Sequence, residues 1–223
     1  MLAAPASAHH GKDFLEVESF DVPRPGDLFL LTSADASFHP ESKTLGIEPG
    51  LLIGIFSSLA AEVHGHFAKE EAGSLHYEAI APALHYQVTA PDTDIPLQLG
   101  IAAEYEFVRE SLEQPDRFEG RLIVGHRFSS STAAFNVLVE RLEGEAPTLG
   151  YAAAYRAEIA HGLGLGFEAL GWFERDRDHD LLLGAYFGAD ESLTLKVGAG
   201  AQIGAEDTSL LLQAALVYRP YFP

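Results

Sequence analysis

From Leu193 to Gly204 the chain reads LTLKVGAGAQIG, and its polarity changes at every step. Leu193, Leu195, Val197, Ala199, Ala201 and Ile203 fall on one side, and Thr194, Lys196, Gly198, Gly200, Gln202 and Gly204 on the other. A period of two residues is that of a β-strand, whose successive side chains point to opposite faces. In LGLGFEALGWF, Leu163, Leu165, Phe167, Ala169 and Phe173 oppose Gly164, Gly166, Glu168, Leu170 and Trp172. In LQLGIAAEYEF, Leu97, Leu99, Ile101, Ala103, Tyr105 and Phe107 oppose Gln98, Gly100, Ala102, Glu104 and Glu106. In LAAEVHGHF the apolar set opposes Glu62, His64 and His66. Read this way, the chain predicts about twelve strands. Their limits are 27 to 38, 44 to 55, 59 to 68, 74 to 88, 96 to 109, 117 to 128, 132 to 142, 148 to 158, 163 to 173, 180 to 188, 192 to 203 and 208 to 219.

Segments of about ten to fourteen residues suit tilted strands that cross a bilayer. The connections alternate in character as well. FSSL, SSS, AHG and ADES are tight, whereas PESK, KEEAG, ESLEQPD, EGEAP, ERDRDHD and GAED carry acids. Short turns on one rim and acidic loops on the other predict a closed antiparallel up-and-down transmembrane β-barrel, with the tight turns periplasmic. A soluble barrel would place its large apolar residues inside and its charges outside. The charged parity is too polar for a dry core: Glu48, Glu62, His64, His66, Glu104, Glu106, Arg121, Glu140, Arg156, Glu158, Glu168 and Lys196 would all sit inside, at prohibitive cost without water or close partners. A wet lumen and a lipid-facing apolar side remove the conflict. Aromatic residues such as Tyr105, Phe107, Phe118, Phe128, Phe173, Phe187, Tyr218 and Tyr221 end many of the strands, as interfacial girdles do. A β-sandwich and a soluble barrel are the remaining readings.

Composition narrows the function. The 223 residues fit one all-β domain. With 33 acidic against 14 basic side chains and a formal charge of -19, nucleic acid is excluded as a partner. The absence of cysteine removes disulfides and thiolate chemistry. No run of about eighteen apolar residues exists, so no helix spans a membrane, which leaves barrels untouched. The opening MLAAPASAHHGKDF contains Ala6-Ser7-Ala8, a small-residue site of the secretory cleavage type. Residues 1–8 therefore read as a signal-peptide remnant, the other reading being an ordinary disordered tail. Residues 9–25 form a lead-in: a periplasmic segment, a lumen plug or an edge strand. Residues 26–223 form the barrel.

Candidate chemistry sits on the polar parity. Glu62, Glu104, Glu106, Arg121, Glu140, Arg156, Glu158, Glu168 and Lys196 are expected to line the lumen and set selectivity. Arg121 and Arg156 are expected to pair with Glu104 and Glu106 across neighbouring strands. Either a charged constriction or an internal salt-bridge network would result. His64 and His66, two apart and hence on one side, are candidate Zn or Cu ligands with Glu62 and with His76 or His85. His9 and His10 are a second candidate pair, and cleavage behind Ala6 would leave Ser7-Ala8-His9, able to wrap Cu(II) with amine, amide and imidazole nitrogens. No resident cofactor is otherwise expected. Enzymatic readings fail because the serines cluster in turns and no G-x-S-x-G occurs. GLGLG lies inside a β-alternation, which rules out a phosphate loop. ERDRDHD lacks the spacing of a calcium loop and reads as a solvated connection.

The segments AHHGKDFL, LGIEPGLLIGIFSSLAAEVHGHF and the closing LLLQAALVYRPYF carry a resemblance that covers nearly the whole chain. The sequence resembles the outer-membrane β-barrel proteins of Gram-negative bacteria, porin-like or transporter type, and more loosely the MetA-pathway phenol-degradation family. The resemblance implies the bacterial outer membrane, contact with its lipid, insertion by the barrel assembly machinery and passage of small solutes. An acidic mouth would favour cations or neutral molecules. A non-conducting structural, ligand-binding or metal-binding barrel is the alternative, and a soluble periplasmic β-protein a weaker one. The ending VYRPYFP departs from the terminal aromatic that assembly recognises, since Pro223 follows Phe222.

Overall fold

The computed structural model describes residues 13–39, 42–70, 73–90, 95–174, 177–190, 192–204 and 208–220. Twelve antiparallel strands follow one another around a closed barrel, each paired with its sequence neighbours, and the last pairs with the first. They are β1 (Leu28–Phe38), β2 (Lys43–Phe56), β3 (Leu59–Glu70), β4 (His76–Gln87), β5 (Gln98–Val108), β6 (Arg117–Arg127), β7 (Ser131–Leu142), β8 (Thr148–Ala160), β9 (Leu163–Trp172), β10 (His179–Asp190), β11 (Leu193–Ile203) and β12 (Thr208–Tyr218). Each predicted segment coincides with one of them to within a few residues. The seam sets Leu30 opposite Tyr218 and Phe38 opposite Leu210, so no strand edge is left open.

Side-chain alternation follows the sequence parity. In β12, Ser209, Leu211, Gln213, Ala215 and Val217 are buried, while Leu210, Leu212, Leu216 and Tyr218 are exposed. In β11, Lys196 and Gln202 are buried while Leu195, Val197 and Ile203 are exposed. The pattern is inside out for a water-soluble protein: the buried parity holds the charges, and the exposed parity holds Leu, Ile, Val and Phe. Such a surface matches hydrocarbon. A strand of 11 residues is about 36 Å long at ~3.3 Å per residue. Tilted by roughly 45°, it crosses the ~25 Å apolar band of an outer-membrane barrel. Two aromatic rings bound the band. Phe56, Tyr86, Phe128, Phe187 and Tyr218 are exposed near the rim of the tight turns, and Tyr77, Tyr105, Phe107, Phe118 and Phe173 near the other.

Leu183, in the middle of β10, is 73% exposed. Replacing it with arginine is expected to lower the unfolding free energy in bilayers by about 2 to 4 kcal/mol, the cost of a cation near the midplane of a barrel's lipid face. Urea titration of protein in vesicles reads this out. An unchanged midpoint would mean that this face does not meet lipid.

Candidate functional site

The chain ahead of β1 turns into the barrel. Phe14, Leu15, Glu16, Val17, Glu18, Ser19 and Phe20 are all buried there, as the lumen-plug reading expects of this described part of the lead-in. Pro23 and Pro25, which lack a ladder N–H, follow and keep this segment from joining the sheet as a strand. Apolar contacts anchor it twice. Phe14 and Val17 pack on Ala134 and Leu138 of β7 and on Ala152 and Ala154 of β8. Val22 joins a cluster of Phe29, Leu31, Leu52, Ala60 and Val217. The wall is thinned to admit the larger side chains. A Cβ on Gly198 would lie 2.5 Å from Leu15 Cδ1, and one on Gly125 would overlap the Phe20 ring.

Backbone that lies in a lumen without a strand partner must find its hydrogen bonds elsewhere, and wall side chains supply them. Glu168 Oε1 accepts the Leu15 N–H at 2.6 Å, and Oε2 accepts those of Glu16 at 2.8 Å and Val17 at 3.0 Å. The Tyr186 hydroxyl donates to Glu168 Oε1 at 2.7 Å. Consecutive N–H groups that converge on one carboxylate form an anion nest, here closed by the protein's own wall. Asn136 pairs with Glu18 as a strand would: its Oδ1 accepts the Glu18 N–H at 3.0 Å and its Nδ2 donates to the Glu18 carbonyl at 3.1 Å. Lys196 Nζ donates to the Phe14 carbonyl, and Arg156 donates to the Asp13 carbonyl at 3.4 Å while its guanidinium stands 4.9 Å from the centre of the Tyr186 ring. The Gln213 amide donates to Glu16, and Arg127 pairs with Asp21. Burial raises the Glu16 carboxyl well above the usual carboxylate range, and Asp180 and Glu168 nearby add to the effect.

The other half of the lumen holds ionic chains. Arg117 pairs with Glu106 and lies 3.6 Å from Glu140, which Arg177 also approaches at 3.7 Å. Arg121 pairs with Glu119. Beside them runs a belt of histidines and glutamates. His64 lies 3.5 Å from Glu62 and 3.3 Å from Glu104, and His66 lies 3.0 Å from Glu48. His85 stands between Glu62, at 3.0 Å, and Glu18 of the plug, at 3.7 Å. A cavity of ≈ 10 Å³ remains among Glu18, His85, Glu104, Glu119 and Arg121, room for about one water.

Two of the pairings expected from sequence are corrected. Arg117, not Arg121 or Arg156, meets Glu106, because the β5 and β6 register sets Glu106 directly opposite Arg117. Arg156 belongs to β8, three strands away from β5, and serves the plug instead. Glu158 keeps the lumenal parity but is exposed at the end of β8 beside its turn. Among the metal candidates, His64 and His66 lie with their rings 4.9 Å apart but face different carboxylates. The triad within metal-binding reach is Glu18, Glu62 and His85. His76 sits at the rim with Glu78. His9, His10, Tyr221, Phe222 and Pro223 lie outside the described residues. Asn136, Gln213, Tyr186, Arg117 and Glu119 were missed as site residues. Their even spacing on the polar parity was the available signal.

A closed antiparallel barrel clad in apolar side chains around a charged interior is the architecture of outer-membrane β-barrels. No protein-family model and no curated protein sequence matches the chain. Solved structures do. The COG4313 outer membrane channel from Pseudomonas putida F1 superposes with a TM-score of 0.67 over 92% of this chain and 100% of its own, at 10% identity. The KdgM porin in complex with disordered oligogalacturonate gives 0.65 over 86% and 99%, at 7% identity. The NanC porin gives 0.62 over 86% and 100%, also at 7% identity. At such identities the likeness is one of fold.

Proposed function

We propose that this protein is a passive channel of the bacterial outer membrane for small solutes, with residues 13–22 as a plug seated in its pore. The observation that carries the reading is a charged lumen enclosed by a lipid-facing wall, the arrangement of a polar path for solutes across a bilayer. The fold shared with porins and channels supports it. Among the described residues, seven buried glutamates stand against two buried arginines and one lysine, which favours cations or neutral molecules. A polyanion such as the oligogalacturonate bound by the KdgM porin would be repelled here. The tight-turn rim, from which the plug enters, is periplasmic in this reading. Assembly machinery would insert the barrel, with Leu216 and Tyr218 on the outer face of the last strand at the recognised end. The reading assigns no catalytic step.

The filled lumen favours a second reading, a non-conducting structural or ligand-binding barrel. Deleting residues 9–22 separates the two. The full chain is expected to give small, cation-preferring conductance steps in planar bilayers, and the deletion variant steps several-fold larger. A deletion variant that is folded and inserted yet silent would end the channel reading.

A further inference from the structure

We propose that Glu18, Glu62 and His85 form a binding site for a divalent cation of the Zn²⁺ class, which fastens the plug to the barrel wall. One donor atom from each residue lies within 4.8 Å of the others, a spread that small side-chain movements reduce to the separations around a zinc ion with ligand bonds of about 2.0 to 2.2 Å. One imidazole and two carboxylates are a donor set that zinc accepts, with a remaining position for water. The Glu62, Glu18 and His85 side chains are only 8%, 10% and 12% exposed. His85 is held between the two carboxylates, with Nε2 3.0 Å from Glu62 Oε2 and Nδ1 3.7 Å from Glu18 Oε2.

Charge and space point the same way. Glu18, Glu62, Glu104 and Glu48 gather around three imidazoles, so the acids outnumber the rings by one. Arg121, the cation on the adjoining cavity wall, pairs with Glu119 and also stands in the field of Glu18 and Glu104. The ≈ 10 Å³ cavity is lined by Glu18 and His85, together with Glu104, Glu119 and Arg121. An outer layer is already in place: His64 lies between Glu62 and Glu104, in position to orient the ligating carboxylate. The ligands also come from two bodies. Glu62 and His85 lie on adjacent wall strands, β3 and β4, whereas Glu18 belongs to the plug. A bound ion therefore bridges plug and wall, adding one tie to those made by Glu168 and Asn136, and its removal loosens the plug.

The consequence for permeation rests on the channel reading, but the binding test does not. Full-length protein folded in lipid or detergent and stripped with EDTA is titrated calorimetrically with ZnCl₂ alone. One ion per chain is expected, with affinity reduced at least tenfold by Glu62→Gln, His85→Ala or Glu18→Gln and unchanged by His9→Ala/His10→Ala. Glu18→Gln lies outside the wall and keeps the test open should the wall variants fail to fold. The chain has no cysteine, so Ser19→Cys offers a sole thiol on the buried plug. Zn²⁺ is expected to slow its maleimide labelling at least tenfold, and EDTA to restore it. Binding that survives the three variants, or that is lost only with His9 and His10, would overturn the site. Binding without any change in labelling would overturn the fastening.

Discussion

Glu168→Ala is expected to release residues 13–22 from the lumen. The carboxylate accepts three backbone N–H bonds and the Tyr186 hydroxyl, and hydrogen bonds to a charged group contribute about 1.5 to 3 kcal/mol each. Removal leaves those donors without their acceptor in a lumen too full to supply water freely. Even with strong non-additivity, a loss of about 3 kcal/mol follows, which is roughly a hundredfold in the docked-to-undocked ratio. Labelling of a Ser19→Cys thiol should accelerate accordingly, and channel openings should lengthen. Glu168→Gln keeps one acceptor oxygen and should fall in between. Labelling rates equal to those of the parent protein would show that this carboxylate does not hold the plug.

Docking of the plug is also expected to weaken as pH rises. Glu16 lies in the lumenal segment, and its carboxyl is held well above the ordinary range by burial and by the Asp180, Glu168, Asp35 and Glu48 carboxylates around it. A released plug exposes Glu16 to water, where it returns to the usual carboxylate value near 4.3. The docked state thus binds the proton more tightly. Stability of docking is fully present below the ordinary value and declines through the interval up to the raised one. For one proton the change is at most about tenfold per pH unit. Conductance traces from acid to mildly alkaline pH should show open probability rising, and Glu16→Gln should flatten that component. A Glu16→Gln profile identical to the parent's would assign the pH response to other groups.

Strand number, limits and facing could be read from the sequence because a β-barrel writes them into consecutive residues: Lys196 and Gln202 versus Leu195 and Val197 need no distant information. The same holds for the lumenal placement of Glu62, Glu104 and Glu168. Their partners were less legible. Glu106 meets Arg117 only because the register between β5 and β6 puts them opposite, and register depends on how the whole barrel closes. The plug left least trace. Its apolar Phe14, Leu15, Val17 and Phe20 surround Glu16, Glu18 and Ser19 without a sustained period, since a segment with wall on every side has no single buried face. Glu168 could be placed in the lumen, but its service to Leu15, Glu16 and Val17, more than 150 positions earlier, has no local signature.

That separation bears on assembly. The plug's ligands lie on β4, β7, β8, β9, β11 and β12, and the β1 to β12 seam closes last in chain order. No subset of early strands offers the segment a finished berth. The first of the described residues to be synthesised is therefore among the last to reach its resting place. Contacts of such high sequence separation form slowly, so a newly inserted barrel passes through an interval with its bore still vacant.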